Sequence, residues 1–391
     1  MAATEPQPRS GDPTTDPTAF EYTGPGTLAG RYLRMFWQPV ALAADLPAGH
    51  AKPIRVMSED FTLYRGEGGQ PQVVAPRCAH RGTQLSTGWV EGACLRCFYH
   101  GWKYDASGQC VEMPAEDTSF PSKVKIRSYP TEEYLGIVFA YLGEGEAPAF
   151  PRWPELEAEG VLTATSYVRA CNYFNALENS HDPVHLAFVH RRSAFTENGL
   201  IGVPTVAAEE TPWGVAIHAT RRGGTVRTVQ FCMPNMTRRT SPPDDPAETR
   251  WQEALAWRVP IDDGAYRSFN LDLAFLTGEA AERYRRLLQE REAVREAAGS
   301  VEELAGRVLR GELAIDAIKD HPNVVNIQDT VAQVGQGAIA DRRAERLGRS
   351  DVGIILIRKI WERELQALAD GRPLKQWQRP ERIAPTVGAV G

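Results

Sequence analysis

Cysteine is scarce in this chain. There are six in 391 residues, too few for a disulfide framework, which points to a reducing cytoplasm. No apolar run approaches the roughly 18 residues that would span a bilayer. The N-terminus, MAATEPQPRSGDPTTDPTAF, lacks the apolar core of a secretory leader and reads as a mobile arm over 1–24. No G-x-G-x-x-G follows a strand-like segment, so NAD(P)H binding is not expected. There is no internal repeat, and a net charge of −6 argues weakly against a nucleic-acid partner. What remains is a chain with 42% apolar and 24% charged residues, the balance of a globular protein long enough for two domains.

Two of the cysteines sit in CAHRGTQLSTGWVEGACLRCFYHGW. Cys78 and His80 form one C-x-H pair, Cys97 and His100 one C-x-x-H pair, with sixteen residues between them. Two thiolates and two imidazoles suit tetrahedral zinc or a [2Fe–2S] cluster with mixed ligands. Gly82 and Gly101 favour the cluster, because turns must bring N–H groups close to sulfur. Trp102 and Tyr99 supply bulk, and the Tyr99 hydroxyl is a candidate hydrogen-bond donor to the cluster. Cys94 reads as a small buried residue.

Around this stretch the chain reads as short strands with Gly-rich turns, a small antiparallel domain over 25–150 that presents two loops at one end. Its landmarks are a hairpin at Ser58-Glu59-Asp60, another at Asp105 to Gly108, and a buried strand over Gly136 to Leu142. Pro148, Pro151 and Pro154 mark the boundary. A second domain over 151–391 shows strand-like runs at 213–220, 225–233 and 251–276, which suggest an antiparallel sheet with one covered face. Residues 279–313 read as a charged, solvated helical region, and a final helix runs over 351–368.

In NYFNALENSHDPVHLAFVH (172–190), Asn175, Glu178, Asn179 and Asp182 share one helix face. Pro183 must break or kink that helix. His185 and His190 lie about 140° apart on an ideal helix, so they can share a metal only if the helix bends or ends between them. Two His and a carboxylate form the facial triad of non-haem iron(II) sites. Asp329, a lone acid in the apolar helical stretch Val324 to Val331, is the candidate third ligand. His181 is a packed residue or a rival ligand. His50, His218 and His321 read as structural, and Arg191 and Arg192 as a solvent-facing basic pair.

CAHRG followed by CFYHGW resembles the Rieske signature of the ring-hydroxylating oxygenase alpha subunits, and ENSHDPVHLAFVH resembles their E-N-x-x-D-x-x-H-x4-H segment. QDTVAQVGQG resembles the late segment of the phthalate-dioxygenase-like members. The resemblance implies an α+β protein with a Rieske [2Fe–2S] domain and a helix-grip catalytic domain. It implies that Cys78 and Cys97 hold one iron of the cluster and His80 and His100 the other. His185, His190 and Asp329 would hold a mononuclear Fe(II), Asp182 would bridge a Rieske His of one subunit to an iron His of the next, and Asn179 would lie near the iron. The implied protein is a homotrimeric terminal oxygenase fed by a separate flavin and iron–sulfur reductase. It would use O₂ to hydroxylate or O-demethylate an aromatic, carboxylated compound. The alternative is an electron-transfer or binding protein without oxygenase activity.

Overall fold

The computed structural model describes residues 12–117, 119–191, 202–224, 226–241 and 251–380. The architecture is α+β. The first half is built from three small antiparallel sheets. Strands β1 (Trp37–Leu42), β11 (Ile137–Tyr141) and β10 (Thr131–Tyr134) form one, with β11 central and wholly buried. A second has the order β2 (Ala51–Val56), β3 (Glu59–Arg65), β4 (Pro71–Val74) and β9 (Ser128–Tyr129). The third runs β5 (Trp89–Glu91), β6 (Cys94–Arg96), β7 (Lys103–Tyr104) and β8 (Cys110–Glu112). The β2–β3 turn is centred on Met57 and Ser58, both at positive φ, with Val56 opposite Glu59. It is a two-residue turn whose twist matches that of the strands, one position earlier than the polar residues suggest.

The second half is organised on a seven-stranded antiparallel sheet. Its strands are β12 (Val161–Arg169), β13 (Thr205–Glu210), β14 (Gly214–Thr220), β15 (Val226–Cys232), β16 (Met236–Ser241), β17 (Gln252–Asp262) and β18 (Ala265–Ala274). Their spatial order is β12-β18-β17-β16-β15-β14-β13. The β17–β18 hairpin turns at Asp262-Asp263-Gly264, as expected. Strands β13 and β16 do not stand out by alternation: the buried positions of β16 include Thr237, Arg238 and Thr240.

The expectation of one covered face is corrected. Strand β17 is buried at nine consecutive positions, so both faces are covered. On one side Trp257 meets Phe139 and Trp153 at 5.6 and 5.3 Å between ring centroids, and the Met57–Ser58 turn donates to the backbone of Pro260 and Ile261. On the other side Arg258 reaches Ser180 of helix α2 (Tyr173–Ser180). The remaining helices are α1 (Leu28–Arg34), α3 (His185–Phe188), α4 (Gly278–Ala297), α5 (Val301–Leu309), α6 (Val324–Val334) and α7 (Val352–Ala369). The charged region is thus two helices, separated at Gly299, with Ser300 capping α5. No described helix is long and apolar enough to cross a membrane.

Residues 12–24 are also not a free arm. Phe20 packs at 4.1 Å on Phe174, its carbonyl accepts from Tyr173 Oη (2.7 Å), and Asn172 donates to Glu21 O (2.9 Å). Thr23 N bonds Asp263 (2.8 Å), and fully buried Glu21 pairs with Arg342 (3.2 Å). Low hydrophobicity conceals this docking because one aromatic ring and backbone hydrogen bonds achieve it. Phe20→Ala is therefore expected to cost about 3 kcal/mol in urea unfolding, whereas a mobile arm would make the change nearly neutral.

Candidate metal centres

The first donor set is built by two loops of the same backbone design, one after β4 and one after β6. Cys78 N donates to Thr83 O and Gly82 N to Cys78 O (2.8 and 2.9 Å); Cys97 N donates to Trp102 O and Gly101 N to Cys97 O (2.8 and 3.0 Å). Each loop closes through a glycine at φ near +74°, a conformation that other residues adopt only with strain. The two cysteines point inward and are buried, while the histidines stand toward the outside. The His80 and His100 rings lie 4.4 Å apart, and Trp102 stacks on His80 at 4.5 Å.

These residues fit a Rieske cluster. All six cysteines are free thiols. Burial pushes the Cys97 thiol up, so a thiolate there needs a cation to take its charge. The buried Nδ1 of His80 has no hydrogen-bond partner, which is what a ligand nitrogen without its metal shows. The hydroxyl beside the sulfur comes from Tyr104, not Tyr99. Tyr104 is fully buried, with Oη 3.2 Å from Cys78 Sγ and accepting from Ala79 N (3.1 Å). Tyr99 is half exposed and lies against His100. Cys94 is half-buried on β6, outside the loops.

The second donor set depends on the Pro183 break. Helix α2 starts at the Asn172 cap, whose side chain accepts from Phe174 N (3.0 Å), and ends at His181. Asp182 Oδ1 accepts from Val184 N (2.8 Å) within the break, and the one-turn helix α3 follows at His185. His185 and His190 then converge on Asp329 of α6, with ligand atoms within 4.8 Å of one another. His190 Nε2 is 3.2 Å and His185 Nε2 4.0 Å from Asp329 Oδ1. Each Nδ1 is held by an oxygen: that of His190 by Gln328 Oε1 (2.9 Å), that of His185 by the carbonyl of Asp182. These acceptors place the proton on Nδ1 and leave both Nε2 lone pairs aimed at one point. Burial raises the Asp329 carboxyl, but the imidazoles and Arg169 pull it below its ordinary value. Burial lowers His185, whereas Asp329 and Gln328 outweigh burial at His190 and raise it. Two imidazoles and a carboxylate as the protein donor set fit a mononuclear iron.

The polar face of α2 divides between two tasks. Asn179 accepts from Gln333 Nε2 (2.7 Å) one turn beyond Asp329, and Gln333 in turn receives Arg169 (2.7 Å) and Tyr266 (3.0 Å). Arg169 is itself buried and also donates to Thr330 (3.0 Å). Asn175 and Glu178 serve the scaffold: Glu178 pairs with Arg342 (2.9 Å) and Arg358 (2.5 Å), and Asn175 accepts from Arg342 (3.3 Å). Asp182 is half-buried beside α3. Gln328, Gln333, Arg169 and Tyr104 were not singled out by sequence. Gln328 and Gln333 flank Asp329 at −1 and +4, and the others have no local signal.

His181 does not join the metal group. It is buried, its Nδ1 bonds Leu177 O (2.6 Å), and its ring meets Phe231 edge-on. His50, His218 and His321 all have local hydrogen-bond partners. Arg191 is exposed and 3.8 Å from Asp316; Arg192 lies outside the described residues. Burial lowers His181 to about 4. Below its unfolded value near 6.5, the unfolded chain takes up this proton first, so stability is full above that pH and falls toward pH 4. The loss should reach roughly 3 kcal/mol at most. In pH-dependent urea unfolding, His181→Asn should flatten that slope.

The model of the Rieske [2Fe-2S] domain matches residues 36–130. The chain is 31% identical over 374 residues to the 5,5'-dehydrodivanillate O-demethylase oxygenase subunit of a Sphingobium species, covering 90% of this chain and 80% of that one. It is also 31% identical to the phenoxybenzoate dioxygenase alpha subunit of Ectopseudomonas oleovorans, covering 88% and 84%. Among solved structures, the terminal oxygenase of carbazole 1,9a-dioxygenase from a Novosphingobium species superposes with a TM-score of 0.65 at 21% identity, covering 89% and 95%. The fold is thus that of a terminal oxygenase, and the chain belongs to the Rieske non-haem iron oxygenases as their oxygenase (alpha) subunit, an enzyme with a Rieske [2Fe–2S] cluster and a mononuclear iron.

Proposed function

We propose that Cys78, Cys97, His80 and His100 hold the Rieske cluster, that His185, His190 and Asp329 hold the mononuclear iron, and that the chain oxygenates an aromatic compound by hydroxylation or O-demethylation. The observation that carries this reading is the convergence of His185, His190 and Asp329, whose ligand atoms lie within 4.8 Å of one another. A carrier of electrons alone has no use for that second donor set. The cluster supplies single electrons, and the iron supplies a site where O₂ is activated beside substrate.

The chain's own residues set the conditions for that chemistry. Gln328 and the Asp182 carbonyl fix the tautomers and orientations of the two imidazoles. Asn179, Gln333 and Arg169 hold α6, and with it Asp329, against α2 and the sheet. The outward histidines of the cluster loops suit contact with a second subunit. Asp182 is read as the bridge from such a histidine to an iron histidine, which requires a ring of subunits, a homotrimer. Residues 25–150 would then be the cluster-bearing unit and 151–391 the catalytic one, in a cytoplasmic enzyme. A separate reductase, with or without a ferredoxin, supplies the electrons. Complexes of the carbazole oxygenase with its ferredoxin are a precedent in a similar fold. The relatives named for an O-demethylase and for a dioxygenase support both reaction outcomes.

The test is product analysis with a surrogate reductase, NADH, O₂ and a panel of methoxy-aromatics and aromatic acids. Formaldehyde released in step with substrate loss marks demethylation; a phenol or ring diol without formaldehyde marks hydroxylation. His185→Ala is expected to abolish product and bound mononuclear iron while leaving the visible spectrum of the cluster intact. Product formation by that variant would sink the assignment. Asp182→Asn should keep both metal contents but lower the rate at which a reduced cluster is reoxidised by about 10- to 100-fold, the usual range for altering a group behind a metal ligand. Reoxidation at the wild-type rate would remove the bridge role.

A further inference from the structure

A cavity of about 160 Å³ lies between helix α3, the short turn Ile315–Ile318 and helix α6. Phe188, Val189, Ile315, Val331 and Ala332 form its apolar walls, and the exposed Arg191, Asp316 and Lys319 line its mouth. Phe188 is 60% and Ile315 40% exposed, so two of the walls meet water. The remaining lining residue, Gln328, is only 7% exposed. Its Oε1 accepts from His190 Nδ1 (2.9 Å), and among the described residues no group accepts from its Nε2. The amide N–H groups are thus available to a molecule in the cavity. The cavity is separate from the iron site. Asp329 lies on the Nε2 side of His190 (3.2 Å) and Gln328 on the Nδ1 side, so the imidazole ring stands between the donor set and the cavity.

An apolar void of about 150 Å³ holds one benzene ring, so this volume admits a single ring. A buried amide N–H without an acceptor is costly, and an oxygen on that ring would complete it. Arg191 lies 3.8 Å from Asp316 and Lys319 3.7 Å from Asp320, so each cation at the mouth already faces a carboxylate. Charge therefore does not select an acid. We propose that this cavity is a second, non-catalytic binding site for a neutral single-ring phenol or aryl ether, whose oxygen accepts from Gln328 Nε2 while its ring lies against Phe188, Ile315 and Val331. The amide then links the ligand to the metal centre, because donation from Nε2 polarises the carbonyl that holds His190 Nδ1. The inference rests on the oxygenase reading above for that link and adds an effector site behind an iron histidine. Hydroxylation and O-demethylation both release phenols, so the site is placed to report product at the iron.

The test is binding of 4-fluorophenol, 4-fluoroanisole and fluorobenzene to the metal-loaded protein, followed by fluorine NMR. The two oxygen-bearing probes are expected to bind about fivefold more tightly than fluorobenzene, the worth of one hydrogen bond. Ala332→Trp fills the cavity from α6, and Ile315→Asp puts a charge in the wall formed by the Ile315–Ile318 turn. Each should weaken 4-fluorophenol binding at least about tenfold, with iron content and the visible spectrum of the cluster unchanged. Gln328→Met should bring the three probes to equal affinity. In proton NMR of the Fe(II)-loaded protein, 4-fluorophenol is expected to shift the Nδ1–H resonance of His190 and leave that of His185 in place, a change that a merely structural cavity would not produce. Unchanged affinity in both cavity variants, equal binding of all three probes to the wild-type protein, or no binding at millimolar concentration overturns the site. Turnover of an aromatic compound alongside any of those results removes the site and keeps the oxygenase reading. Probe binding that both cavity variants abolish, in a protein that turns over no aromatic compound, does the reverse.

Discussion

A carboxylate held between two imidazoles inside the protein is the constraint on which the rest of the catalytic half depends. Asp329 can stay charged there only because His190 and His185 face it and Arg169 lies behind it. Each of those groups must be held in turn. Arg169 comes from the end of β12 and bonds Thr330 and Gln333 of α6, and Gln333 reaches across to Asn179 of α2. Helix α2, which leads into the segment of the two histidines, and helix α6, which bears the carboxylate, are thus joined through amide and guanidinium groups. A lost hydrogen bond in such a buried network costs more than its average worth, because it leaves a polar group unpaired.

The cluster loops solve a different problem with the same economy. Two copies of one turn, each closed by a glycine at positive φ, turn two thiols inward and two imidazoles outward. Tyr104 brings its hydroxyl to Cys78 from β7, a strand of the sheet that carries the other loop. The half that carries these loops is packed firmly on the large sheet, through Phe139 and Trp153 on Trp257 and through the Met57–Ser58 turn on β17. The same packing explains why β17 shows no alternation: neither of its faces meets water.

Charge is used inside this protein as much as on its surface. Glu178 gathers Arg342 and Arg358, and Glu21 from the N-terminal segment joins the same group. Removing one partner from such a group strands a buried charge, so residues 12–24, α2 and α7 are tied together. Arg227 is the contrasting case: its Nη2 donates to Thr240 O (3.1 Å), but its buried Nε has no hydrogen-bond partner among the described residues.

Local chemistry made several features readable from the residues alone. The donor types and spacings of Cys78, His80, Cys97 and His100 announce a metal, and Gly82 and Gly101 announce the turns, because these requirements act within five residues. Pro183 announces the break between His181 and His185 for the same reason. Asp329 was legible only as an acid in an apolar helix; what it faces lies 139 positions away from His190 in the chain. Tyr104, Gln333 and Arg169 carried no signal, since a tyrosine, a glutamine or an arginine takes its role from the partner that folding brings to it. The docking of Phe20 and Glu21 and the split of the α2 polar face were decided the same way. Ligand identity follows from short-range chemistry written in the chain. Orientation, burial and charge balance follow from long-range packing, which only the folded structure specifies.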